Sequence, residues 1–178
     1  MEQKYIQEAF DTNWVVPLGP NVNGFEKDLE MFVNERTADN GQRTAEPLAK
    51  RVVALSAGTA AVHLALLNCG VGPGDEVCVQ SFTFCASSHP ITYLGATPVF
   101  IGSEKDTWNM DPDLLEEAII DRKAKTGKYP KAIVPVALYG MPYDCGRIMS
   151  IANKYGIPVI EDAAEGFGSR YKGQVLGT

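Results

Sequence analysis

From Arg51 onward the chain repeats one pattern: a short apolar run rich in β-branched residues, then a longer stretch with helical spacing, then another run. The runs are Val52–Leu55, Glu76–Val79, Thr97–Ile101, Ala132–Leu138 and Ile157–Ile160, and the stretches between them are Thr59–Cys69, Ala86–Leu94, Pro112–Ile120 and Cys145–Tyr155. Strands separated by helices do not pair as tight hairpins, so the alternation predicts an α/β fold with a mostly parallel sheet flanked by helices. Ile157, Val159 and Ile160 are set too closely for one-face alternation, which suits a strand buried on both sides. The helix stops agree. Gly70 and Gly156 stand as C-caps, and Asp111-Pro112 opens a helix with proline in its first turn.

Residues 1–50 read differently, as an N-terminal helical and loop segment preceding a domain over 51–178. Tyr5–Phe10 and Gly24–Val33 have helical spacing, the second with Phe25, Leu29 and Phe32 on one face. The intervening NWVVPLGPNVN is rich in Pro, Gly and Asn and predicts a loop, and the polar, aperiodic Thr37–Pro47 predicts a mobile one. Sixteen basic against 22 acidic residues give a net charge of −6, which argues against a nucleic-acid surface. The four cysteines form no CxxC pair, and His63 and His89 share no ligand spacing with them, so a metal site is not predicted; the thiols are expected to be buried and reduced. The N-terminus lacks a basic-then-apolar leader and no apolar run reaches membrane-spanning length, so the expectation is a cytoplasmic protein with no membrane partner.

Open parallel sheets bind ligands at the carboxyl ends of their strands. In IPVIEDAAEGFGSR, Asp162 stands at such an end. It could serve a cofactor whose pyridine nitrogen must stay protonated. It could equally, with Glu165, form an Asp-led capping box, D-x-x-E. The small-residue turn Ser56-Ala57-Gly58-Thr59-Ala60 opens the most apolar helix and could present free N–H groups to a phosphate, or could simply allow close packing with Ser56 or Thr59 as the cap. Phe84, in SFTF after the second strand, could stack on a flat ring or pack in the core. Tyr139-Gly140 is a weaker candidate for the same mouth, His63 reads as a core or interface residue, and Pro135 predicts an irregularity in its strand. Gly70-Val71-Gly72-Pro73-Gly74 follows a helix and precedes a strand, the reverse of a dinucleotide fingerprint, and reads as a turn.

Taken in order, SAGTAAVHLAL, GPGDEV, SFTF, YLGATPVF, PVALYG and PVIEDAAEGFGSRYKG resemble the DegT-type nucleotide-sugar aminotransferases, which are fold-type-I pyridoxal phosphate enzymes. The resemblance spans nearly the whole chain, and with NWVVPLGPNVNGFE it is most similar to enzymes making 4-amino sugars such as bacillosamine or perosamine precursors. It implies that 51–178 is the N-terminal part of a large, cofactor-binding domain. Gly58, Thr59 and Ala60 then match the phosphate turn, Phe84 the aromatic on the cofactor ring, and Asp162 the partner of the pyridinium nitrogen. Glu165 matches a position beside the cofactor, and Asn13 to Asn21 more weakly resembles a loop near the sugar nucleotide. The implied cofactor is pyridoxal 5′-phosphate; the implied partners are a nucleotide-sugar substrate, an amino-acid donor such as glutamate, and a second copy in a homodimer.

Two positions depart from the pattern. Ala137 stands where many members have histidine, and no lysine matches the Schiff-base position, which the resemblance sets in a motif like SFNGNK beyond Thr178. The 178 residues alone are therefore expected to be inactive, with no catalytic residue among them. Val52–Leu55 is expected to lose sheet partners coded further on, exposing apolar surface. A family member that dehydrates its sugar, with histidine in place of that lysine, and a non-catalytic truncated or regulatory protein stay open as alternatives.

Overall fold

The computed structural model describes residues 1–37, 43–45 and 50–177, and the chain divides into two compact units, Met1–Ala54 and Leu55–Gly177. In the first unit, α1 (Glu2–Asp11) and α2 (Pro20–Val33) are both longer than their apolar spacing predicts. The second helix begins inside the expected loop because Pro20 suits a first helical turn, where its missing N–H leaves no bond unmade. Gly19, just before it, has φ 128°, and a Cβ there would stand 2.8 Å from the Trp14 ring. β1 (Glu35–Thr37) pairs antiparallel with β2 (Arg43–Ala45), so these residues of the expected mobile stretch form a ladder; 38–42 and 46–49 lie outside the described residues.

The run Val52–Leu55 forms no strand. Instead, the N–H groups of Val52 and Ala54 donate to carboxylates of α2, Glu30 at 3.2 Å and Glu26 at 2.8 Å. Alternate N–H groups of an extended segment lie on one side, and acids four apart lie on one helix face, so the two spacings match. Val53 points away and is exposed. Asn34, buried at the end of α2, closes the unit: its amide donates to the carbonyls of Glu30 and Lys50 and accepts the Lys50 N–H at 3.2 Å.

The second unit is the α/β layer structure that the alternation predicts. β3 (Glu76–Gln80) lies between β4 (Thr97–Ile101) and β5 (Ala132–Val134), parallel to both, with Val79 opposite Phe100 and Val134. Alternation sorts the central strand onto two faces. Val77 and Val79, with Ala132 and Val134, pack against Val62 and Leu66 of α3 (Gly58–Asn68) and Ile91 of α4 (His89–Tyr93). Cys78 and Ile133 face the opposite way, onto Leu115 and Ile119 of α5 (Pro112–Thr126) and Ile148 and Ile151 of α6 (Cys145–Tyr155).

The run Ile157–Ile160 accompanies β5 in parallel through one bridge, Ile133 with Val159, and a second bridge, Val136 with Asp162, joins the segments just beyond them. Pro158 and Pro135 are the reason. Each lacks a donor and serves only as acceptor, Pro158 for the Ile133 N–H and Pro135 for the Asp162 N–H, both at 3.0 Å, so no continuous ladder forms. For the same reason β5 stops at Val134, short of the predicted Leu138.

α5 runs past its last predicted residue, Ile120, to Thr126, through a charged, solvent-facing turn held by the Asp121–Lys125 ion pair at 2.8 Å. A hairpin of β6 (Arg170–Tyr171) and β7 (Gln174–Val175), which periodicity does not reveal in so short a form, follows the Asp162 loop. Of the cysteines, only Cys78 is fully buried, with burial raising its thiol to about 12; Cys85 is exposed, contrary to expectation, because it opens the 3₁₀ turn Cys85–Ser87 ahead of α4.

Candidate active site

α3 leads through the turn after Gly70 into β3 and packs along the sheet, so its N-terminus lies toward the carboxyl end of β3. The segments leaving β3 and β5 carry Phe84 and Tyr139 to that same edge, and Asp162 joins them beside Val136. Gly58, Thr59 and Ala60 are the first residues of α3. Among the described residues a Cβ on Gly58 would meet nothing within 4 Å, so close packing here does not call for this glycine. The capping explanation fails: Ala57 is the N-cap and no side chain caps the helix. The first intrahelical bonds run from Ala60 and Ala61 to the Ala57 carbonyl, at 3.0 and 3.1 Å, leaving the N–H groups of Gly58 and Thr59 without a partner among the described residues. An uncapped helix start with open space over its glycine suits an anion such as a phosphate.

Asp162 and Glu165 do not form a capping box. The Asp162 N–H is spent on Pro135, and no helix follows; residues 164–168 are turn. Asp162 Oδ1 accepts from the Ala164 N–H at 3.2 Å, and Oδ2 accepts from the Ser87 hydroxyl at 2.6 Å. Glu165 reaches across to the Tyr139 N–H instead of back to Asp162. Tyr139 itself has φ 51°, and a Cβ on Gly140 would stand 3.3 Å from the Glu165 carbonyl, so this glycine permits the close approach of the two loops. Phe84 is 75% exposed, which excludes a core role within this unit and leaves a free aromatic face near the carboxylate's edge. Phe82 meets two further rings edge to face, Trp108 at 5.9 Å and Tyr139 at 6.4 Å.

Three supporting residues escape the sequence reading. Gln80 is fully buried at the end of β3; its Nε2 donates to the Phe82 carbonyl while its Oε1 accepts from the Met110 and Val136 N–H groups. It thereby takes up a donor that the ladder broken at Pro135 leaves over. Asn109, also buried, accepts from the Leu138 N–H at 3.0 Å and donates to the Met141 carbonyl, fixing the loop that carries Tyr139. The third is Ser87, whose spacing of four from Thr83 in SFTFCAS was the available signal. The His63 ring meets the Tyr93 ring edge to face, with centroids 5.8 Å apart. Ala137 is buried against Gly166, where an added Cβ would collide with its methyl, so the position is closed to an imidazole.

The neighbouring Glu161 faces away from the candidate site: its Oε2 accepts the Gly177 N–H at 2.7 Å, and burial raises its carboxyl above the ordinary carboxylate range, partly offset by that bond. Among the described residues no group of side chains has metal-ligand geometry, and no helix is long and apolar enough to cross a membrane.

All 178 residues match the DegT/DnrJ/EryC1/StrS aminotransferase family. The chain belongs to that family. Its members are pyridoxal phosphate-dependent aminotransferases. EpsN of Bacillus subtilis (strain 168), whose name places it provisionally among the pyridoxal phosphate-dependent aminotransferases, is 48% identical over 177 residues, 99% of this chain and 42% of that protein. GDP-perosamine synthase of Caulobacter vibrioides is 38% identical over 177 residues, again 99% of this chain and 42% of the relative. Among solved structures, a DegT/DnrJ/EryC1/StrS aminotransferase from Brucella abortus superposes with a TM-score of 0.86 at 33% identity, covering 98% of this chain and 43% of that one. The chain thus spans less than half the length of the DegT-family relatives it matches.

Proposed function

We propose that these residues form the cofactor-binding part of an aminotransferase that converts a nucleotide-linked keto sugar to an amino sugar in polysaccharide or glycan precursor biosynthesis. The preferred acceptor is a 4-keto-6-deoxy sugar, with glutamate as amino donor. The observation that carries the reading is the pairing, at one edge of a parallel sheet, of an uncapped helix start at Gly58 with a carboxylate at Asp162 that is anchored yet partly exposed. Pyridoxal phosphate has the two matching ends, a phosphate dianion and a pyridine nitrogen. Once bound, it supplies an electron sink for charge developing at the substrate carbon.

Each residue has a distinct task. The Gly58 and Thr59 N–H groups, at the positive end of the α3 dipole, hold the phosphate. Asp162 holds the proton on the ring nitrogen. Phe84 covers one ring face and excludes water from it. Glu165, tethered to the Tyr139 N–H, fixes the loop bordering the pocket. Moving protons at the substrate carbon requires a base, and the resemblance in motif order implies a lysine for it outside residues 1–178, so the 178 residues bind cofactor without turnover. A homodimer in the cytoplasm completes the proposal, and the likeness to GDP-perosamine synthase supports the 4-keto class.

The test uses protein from the complete gene with a 4-keto-6-deoxy nucleotide sugar and ¹⁵N-glutamate. The expected result is a product carrying ¹⁵N with release of one 2-oxoglutarate per amino sugar. Sugar consumed without nitrogen gained would contradict the aminotransferase reading.

A further inference from the structure

The Ser87 hydroxyl is 1% exposed for its residue and lies between two oxygens, Asp162 Oδ2 at 2.6 Å and Thr83 Oγ1 at 2.9 Å. A hydroxyl has one proton to give, and a carboxylate can only accept. Ser87 therefore spends its proton on Asp162, and the Thr83 hydroxyl donates to Ser87. This gives a directed relay, Thr83 to Ser87 to Asp162, in which each bond polarises the next. The Ala164 N–H holds the other carboxylate oxygen at 3.2 Å, so both oxygens are pinned and the carboxylate plane is fixed, while lone pairs remain on its open side.

We infer that Ser87, backed by Thr83, is a positioning residue for Asp162: it sets the carboxylate in the plane and direction needed to meet a pyridinium N–H. The inference rests on the cofactor reading above and adds a specific division of labour to it. The two hydroxyls stand four apart, one at the foot of the strand-end loop and the other in the 3₁₀ turn ahead of α4. The alignment is therefore built into the segment that also presents Phe84, so ring face and ring nitrogen are addressed by one continuous piece of chain.

The test is calorimetric titration with pyridoxamine 5′-phosphate, which lacks the aldehyde that would label surface lysines, and with its 1-deaza analogue, which lacks the ring nitrogen. The wild-type chain is expected to prefer the nitrogen compound. Ser87→Ala should weaken pyridoxamine 5′-phosphate binding about tenfold, the scale of a hydrogen bond to a charged group, while leaving the deaza compound unchanged. Ser87→Thr should restore the preference, and Thr83→Val, which leaves the inner bond in place, should lose a smaller part of it. If Ser87→Ala weakens both compounds equally, or neither, the positioning role is overturned. A Thr83→Val variant with undiminished preference would overturn the outer half of the relay. Wild-type chain that binds neither compound, or both alike, would instead remove the cofactor reading, and this inference with it.

Discussion

At the scale of single residues, adjacent carboxylates on one segment meet opposite environments. Asp162 is turned toward the open edge and receives a hydroxyl and an N–H, whereas Glu161 is turned inward, its Oε2 accepting the Gly177 N–H and its carboxyl facing the Tyr143 hydroxyl. Burial raises Glu161 above its ordinary value of 4.5, so in the folded chain it holds its proton to higher pH than in the unfolded chain. Folded protein then binds more protons than unfolded, and stability must fall as pH rises from the unfolded value through the raised folded one. Glu161→Gln, which keeps the shape without the charge, is expected to flatten that fall, gaining on wild type as pH increases. Urea midpoints at pH 4 and pH 8 check this; parallel pH profiles for the two proteins would contradict it. The same inward setting explains why Ala137 and Gly166 are both small: each occupies the space a larger side chain of the other would need.

Elements follow from their ends as much as from their periodicity. Asp111 caps α5, accepting the Asp113 N–H at 2.8 Å and the Leu114 N–H at 3.3 Å, with Pro112 in the first turn and Gly127 in the left-handed conformation at the other end. Asp111→Ala should cost about 0.5–2 kcal/mol of unfolding free energy, read from denaturant curves, with Asp111→Asn losing much less. Such ends are readable from sequence because they depend on residues a few positions apart. Pairing across the chain is not. Pro135 was recognisable as a disturbance, but nothing local shows that Gln80, fifty-six positions earlier, supplies an acceptor for the Val136 N–H. Nor does the apolar run Val52–Leu55 reveal that its N–H groups are met by Glu26 and Glu30; β-branched composition describes what a strand contains, not whether a neighbour is present. For the candidate site, motif order proposes Gly58, Phe84, Asp162 and Glu165, while Ser87 and Asn109, which hold Asp162 and the Tyr139 loop, act through contacts that span 75 and 29 positions and leave only faint local signals.

At the scale of the molecule, the layered unit built on β3, β4 and β5 delivers its polar, strained and aromatic groups to one edge. The left-handed residues Trp108 and Tyr139 lie there, as do the uncapped start of α3 and the carboxylate of Asp162. Apolar side chains also stand uncovered in this chain, including Val53, Leu64, Leu67 and Phe84, in line with a chain spanning 42% of its relatives' length. In the proposed function, one pyridoxal phosphate bridges the α3 start and Asp162. The most direct measurement is an NMR titration of ¹⁵N,¹³C-labelled chain, first with inorganic phosphate and then with pyridoxamine 5′-phosphate. Phosphate should move the Gly58 and Thr59 amide resonances alone; pyridoxamine 5′-phosphate should move those same amides together with the Asp162 carboxyl carbon. If pyridoxamine 5′-phosphate shifts one end without the other, or neither, the two groups do not belong to one site and the account is wrong.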